Sequence, residues 1–183
     1  MAETITDWCL QPDDLKLYER SSRWWETLHL SYSHNCTNIP TSNHQWGGTA
    51  LFCIDKAAHR STEKGVDSSG LGRWCWTQYK GKKHHSLRIY SVYCPNPPTG
   101  PLTVYAHHRH YFNSKNDNRC PRQAFVDDLC KEIKLAMEEG DRVILMLDGD
   151  SDMKGSYMSK SLETLNLHEA LLQKYGTEGP STF

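Results

Sequence analysis

The sequence predicts a mixed α/β layered sheet, and three observations predict it. First, the unalternated apolar run VILML at 143–147 ends abruptly in acidic residues, the pattern of a buried strand covered on both faces. Second, RWCWTQY at 73–79 and SLRIYSVY at 86–93 are β-rich runs joined by a short turn containing Lys80, Gly81, Lys82 and Lys83, which signals a hairpin. Third, helical periodicity lies on both sides of the 143–147 run, so helices and strands interleave without a strict βαβ winding.

The elements follow in chain order. Pro12-Asp13-Asp14 opens a pattern in which Leu15, Leu17, Tyr18, Trp24, Trp25 and Leu28 share one face, predicting a helix over 13–27. HLSYSHN at 29–35 alternates weakly as a strand, and the Asn-, Thr- and Ser-rich stretch to Gln45 reads as loop. Gly47-Gly48 introduces TALFCI at 49–54, a second strand, whereas STEKGVDSSGLG reads as another loop before the hairpin. Pro95, Pro97, Pro98, Gly100 and Pro101 then forbid regular structure. Residues 105–112 are ambiguous, with tyrosines and histidines at helical spacing.

Pro121 in a first turn starts a helix to about Glu139, where Phe125, Leu129, Ile133 and Ala136 repeat on one face and Gly140 stops it. The 143–147 strand follows at once. Ser159 and Ser161 precede LETLNLHEALLQKY, a further amphipathic helix ending at Gly176. With no internal repeat and no linker, residues 1–183 read as one domain.

Composition narrows the function classes. A formal net charge of -1 excludes a wholly basic nucleic-acid-binding protein and permits a local basic patch. No apolar run approaches a membrane span, and the N-terminus lacks the basic flank and apolar core of a signal peptide, so no membrane partner is expected. The seven cysteines are odd in number, scattered and without a Cys-x-x-Cys pair. That favours free thiols in a reducing compartment, cytoplasm or nucleus, over a disulfide framework or structural zinc.

Four places could carry chemistry. Asp148 and Asp150 stand at i and i+2 at the tip of the apolar strand, so an extended backbone points both carboxylates one way, toward a hard cation or a proton. An Asp-Gly turn that merely ends a core strand is the equal alternative. Tyr93 and Asn96 leave the second hairpin strand into a Pro-broken loop, where phenol and amide can bond phosphate oxygens without bringing negative charge; a simple strand exit is the blander reading. His107, His108 and His110 form an imidazole cluster without standard zinc spacing, better suited to a basic surface than to a ligand set. Lys80 to His85 at the hairpin tip, with Arg73 at the start of the preceding strand, suit a phosphate backbone or an ordinary solvated hairpin end.

In combination these segments resemble the endonuclease/exonuclease/phosphatase superfamily, the metal-dependent phosphodiesterases that include DNase I and apurinic endonucleases. QWGGTALF is similar to the family's GG-x-A strand, and GLGRWCW with LRIYSVYCPN to its GR-bearing hairpin and tyrosine-x-Pro-Asn loop. PRQAFVDDLCKEI resembles the helix ahead of the metal-site strand, and VILMLDGDSD the strand ending in GD-x-N. The closest flavour is the endonuclease domain of retrotransposons.

The resemblance implies a DNase I-like layered α/β sandwich with a mixed, largely antiparallel sheet. It implies Glu3 as the ligand of Mg²⁺ or Mn²⁺, Asp148 as the residue that positions the attacking water, and Tyr93 and Asn96 as contacts to a scissile DNA phosphate. Asp150 stands where the family has Asn, placing an acceptor in the position of a neutral donor. Relative to the family pattern the domain is expected to be truncated at both ends, lacking an opening Asn strand and a closing Asp-His pair. His107, His108 or His110 is then a candidate substitute for the missing histidine. Two functions follow: a weakly active or inactive DNA phosphodiesterase, or a non-catalytic subunit that meets a protein partner or its own copy through uncovered sheet edges.

Overall fold

The computed structural model describes residues 2, 4–6, 8, 10–37, 47–82, 85–96, 100–101, 103–149 and 156–176. The chain is mixed α/β with two sheets. Strands β1 (Leu28–Ser33) and β2 (Thr49–Ile54) form an antiparallel pair. Strands β3 (Ser61–Val66), β4 (Trp74–Lys80), β5 (Ser86–Tyr93) and β6 (Asp141–Asp148) form a second sheet in that order. The first three strands of this sheet run antiparallel, and β6 joins β5 in parallel. Helices α1 (Leu17–Ser22), α2 (Asp55–Ala58), α3 (Val104–Ser114), α4 (Pro121–Glu138), α5 (Tyr157–Glu163) and α6 (Ala170–Tyr175) complete the described elements. No described helix is long and apolar enough to cross a membrane.

The larger sheet is covered differently on its two faces. Trp74 pairs in register with Val92, and Trp76 with Tyr90. These side chains pack with Phe125, Val126, Leu129 and Ile133 of α4 and with Met158 and Leu162 of α5, forming the main core. The alternate residues of β4 face the β1–β2 pair: the Cys75 thiol donates to the Ser31 carbonyl at 3.4 Å, and Cys53 meets the Tyr79 hydroxyl at 2.7 Å. The result is three layers, helices over one sheet over another. None of the six described cysteines is in a disulfide.

α4 matches its sequence signals closely. Cys120 caps it, Pro121 occupies the first turn, and Gly140 ends it at a φ of +94°. Four other expectations need correction. The helix expected over 13–27 is a single 3-10 turn, Asp13–Leu15, followed by the short α1. Ser21 and Ser22 turn their hydroxyls onto the carbonyls of Leu17 and Glu19, competition with the backbone that shortens helices, and Trp24 beyond the helix is 76% exposed. Residues 61–66 form strand β3 rather than loop; Gly65 lies under the Trp76 indole, where an added Cβ would come within 2.5 Å of the ring. The helix expected over 162–175 is split into α5 and α6, because the chain turns at Asn166 with a φ of +56°.

The last correction concerns the 143–147 run. Val143, Leu145 and Leu147 pack against the main core, but Ile144 is 47% and Met146 44% exposed. Among the described residues β6 is the end strand of its sheet, and the β1–β2 pair packs over β4 and β5. The strand is therefore covered on one face, and its unalternated hydrophobicity is not the mark of a central position.

Candidate functional site

The site is built where β5 and β6 end together. Their parallel register sets Tyr93 beside Asp148, so the two side chains leave the same face of neighbouring strands. The Cys94 backbone N–H donates to the Asp148 carbonyl at 2.9 Å, carrying the pairing one step past the strands. Asn96 lies three residues beyond Tyr93 in the loop that follows.

Arg122, in the first turn of α4, ties the two strand exits to each other. Its guanidinium donates to the Pro95 carbonyl at 2.9 Å and to the Gly149 carbonyl at 3.2 Å. A planar fork with several donors can hold two acceptors at a fixed separation, which a lysine cannot do. Nothing in the sequence singles out Arg122, since an arginine in a first helical turn ordinarily faces solvent. The signal that could have found it is its place in the segment leading to the 143–147 strand.

A second support comes from Gly47 and Gly48, both at a φ of +85°. A Cβ on Gly47 would sit 3.2 Å from Val104 Cγ2 and 3.6 Å from Tyr93 Cε1, so the Tyr93 ring lies against bare backbone there. The same two glycines receive the N-terminal segment. The Thr4 and Ile5 amides donate to the Gly48 and Gly47 carbonyls at 3.1 and 3.0 Å, and Ala2 bridges Thr49. Glu3 and Asp150 lie outside the described residues.

The structure thus gathers Asp148, Tyr93 and Asn96 at one end of the sheet. Tyr93 is only 4% exposed and forms a wall of this region. Among the described residues no three His, Cys, Asp or Glu side chains are grouped to hold a metal ion. A cation at Asp148 would draw its other oxygen ligands from elsewhere.

The remaining sequence candidates stand apart. Arg73, expected near a phosphate backbone, is 2% exposed and closed inside the protein. Its Nε donates to Asp67 Oδ2 at 2.6 Å, one terminal nitrogen to Asp67 Oδ1 at 3.0 Å, and the other to Asp128 Oδ2 at 2.9 Å. Burial alone would raise the Asp67 carboxyl, but the hydrogen bonds and charge of Arg73 more than offset it and hold the group below the usual carboxylate range. Gly72, with a φ of +76°, passes so close that a Cβ would meet the His34 carbonyl carbon at 2.5 Å.

Of the three histidines, His108 is 1% exposed, and its Nε2 meets the Leu71 carbonyl at 3.3 Å. Burial, aided by the charge of Arg73, pushes its pKa down to about 3. A neutral, enclosed imidazole cannot take the place of a histidine that meets substrate. His107 is half-buried and His110 exposed.

The hairpin end forms a shallow basic cleft of roughly 250 Å³, lined by His59, Arg60, Thr62, Lys80, Gly81 and Lys82. Lys80 pairs with Ser86, and Ser86 with Asp141 at the start of β6, so this cleft lies at the end of the sheet opposite Asp148. Lys83 and His84 lie outside the described residues. No family model, no curated protein and no solved structure matches this chain.

Proposed function

We propose that the chain is an endonuclease/exonuclease/phosphatase-like domain of the DNase I-like type, derived from a DNA phosphodiesterase and retaining weak activity at most. The observation that carries this reading is the in-register placement of Tyr93 beside Asp148, with Arg122 tying the two loops that follow. Gly47 lies against the Tyr93 ring and Tyr93 stands beside Asp148, so segments distant in sequence come together there, which supports the reading. The face-to-face packing of two sheets with α4 outside also agrees with it.

In this reading Glu3 and Asp148 would hold the divalent ion, and Asp148 would also orient the attacking water. Mg²⁺ or Mn²⁺, when bound, supplies positive charge to the phosphate. Asn96 donates its amide hydrogens to a phosphate oxygen, while Tyr93 closes the wall behind it. Asp150 works against the reaction, because an ionised carboxylate in the place of an amide repels phosphate.

The second reading, a non-catalytic subunit, is favoured by the exposure of Ile144 and Met146 on the β6 face. A plasmid-nicking assay with Mg²⁺ separates the two. The phosphodiesterase reading expects metal-dependent nicking that rises in Asp150→Asn and disappears in Asp148→Ala. If neither the native chain nor Asp150→Asn cuts above buffer, the enzymatic reading is lost.

A further inference from the structure

We propose that β6 is a self-pairing edge, through which two copies of this chain join their larger sheets into one continuous eight-stranded sheet. The occupant of this edge, which no described strand covers, is a second copy, in antiparallel pairing centred on Leu145.

The two ends of the sheet differ in kind. β3, at one end, is polar, carries exposed Glu63 and Lys64, and is interrupted by a register shift between Ser61 and Glu63. Short length, charge and irregularity are the devices by which edge strands resist pairing. β6 has none of them along its centre. It runs eight residues in unbroken register with β5, contains neither Pro nor Gly, and exposes Ile144 and Met146 at 47% and 44%. Among the described residues it pairs only with β5.

The sequence of β6, DRVILMLD, is also complementary to itself. In a twofold antiparallel pair centred on Leu145, Arg142 stands opposite Asp148 of the second copy, Val143 opposite Leu147 and Ile144 opposite Met146. The twofold axis then repeats each pair. Directly opposed residues on one face bring their Cβ atoms to about 5 Å, within reach of both an ion pair and apolar contact. A shift of the centre to Ile144 would oppose Arg142 to Met146, and a shift to Met146 would move it past the strand. Of these registers, only the one centred on Leu145 matches charge to charge and apolar to apolar. Arg142 makes no ion pair among the described residues.

The contact is isologous and closes on itself, so it yields a dimer and not a fibre. It rests on strand geometry and side-chain complementarity and does not depend on the phosphodiesterase reading. It would also bring Arg142 of the second copy beside the Asp148–Tyr93 end of the sheet.

Sedimentation velocity over a concentration series tests the proposal, with circular dichroism confirming that each variant is folded. The native chain is expected to approach twice its 21.1 kDa mass as concentration rises. Arg142→Asp sets carboxylate against carboxylate at both ends of the strand, and Asp148→Arg sets cation against cation, so each alone is expected to remain monomeric. An equimolar mixture of these two variants restores opposite charges at both ends and is expected to dimerise, as is the double variant Arg142→Asp/Asp148→Arg. A monomeric native chain, or single variants that dimerise as well as it does, would overturn the proposal. Folded variants whose mixture stays monomeric would overturn the register.

Discussion

Replacing Arg73 by methionine should be among the most damaging single changes in the chain. Methionine keeps much of the arginine's length and apolar stem but leaves Asp67, whose side chain has no solvent exposure, without its cation. Breaking a buried pair from one side costs about 3–5 kcal/mol, because the stranded charge keeps its desolvation penalty. Asp128 also loses its 2.9 Å partner, but it is 31% exposed and still bonds Arg119 at 3.1 Å, so its share is small. The stacking of Arg73 on Trp74, 4.5 Å from the ring centroid, adds about 1 kcal/mol to the loss. At a urea dependence of about 2 kcal/mol per molar, the midpoint should fall by roughly 2 M. Urea titrations followed by tryptophan fluorescence read this directly. The double variant Arg73→Met/Asp67→Asn removes the stranded charge and should recover a substantial part of the loss. A drop of under about 1 kcal/mol for Arg73→Met would refute the closed ion pair and return Arg73 to the surface role that its neighbourhood in the sequence suggests.

Three further outcomes are expected. His108 makes stability depend on pH: its unfolded value near 6.5 exceeds its folded value of about 3, so the unfolded chain binds the extra proton between them. Its contribution to stability should thus be lost at up to about 1.4 kcal/mol per pH unit as pH falls below 6.5, and His108→Gln should flatten that slope in acid titrations of urea stability. Arg122→Ala should cost about 1–3 kcal/mol and speed amide exchange of Cys94, whose N–H bonds the Asp148 carbonyl, before the β5 amides respond. Gly72→Ala combines a φ of +76° with a backbone clash at 2.5 Å and should lower stability by more than about 2 kcal/mol in the same titration, whereas Gly140→Ala, with open space around it, should lose only the conformational part.

The parts of the fold legible in the sequence were those specified locally. The β4–β5 hairpin showed as two β-rich runs around a glycine turn, and α4 showed as a periodic face between Pro121 and Gly140. β3 was hidden because STEKGV is polar and carries a glycine, and the reason for Gly65, the Trp76 ring above it, belongs to the neighbouring strand. Trp24 and Trp25 mimicked a helical face although the chain had already left the helix at Ser22. That β6 ends its sheet among the described residues was equally invisible: an apolar run reports hydrophobicity, not whether another strand or layer covers it.

The candidate site divides in the same way. Asp148 and Tyr93 stood out as polar residues at the ends of apolar strands, but only the parallel register of β5 and β6 shows that they are neighbours. Arg73 and His108 looked like surface cations and prove to be internal supports, which residue type alone does not reveal. Arg122 was missed because its role depends on two carbonyls 27 residues away on either side.

The central claim, that the Asp148 end of the sheet receives a divalent ion, is tested most directly by Mn²⁺ titration of the ¹⁵N-labelled protein. Paramagnetic broadening should begin at the amides of Tyr93, Cys94, Asp148 and Gly149 at low metal concentration, spare the Lys80–Lys82 end, and vanish in Asp148→Ala. Broadening that is uniform, or that begins at the far end of the sheet and is indifferent to Asp148, would contradict it.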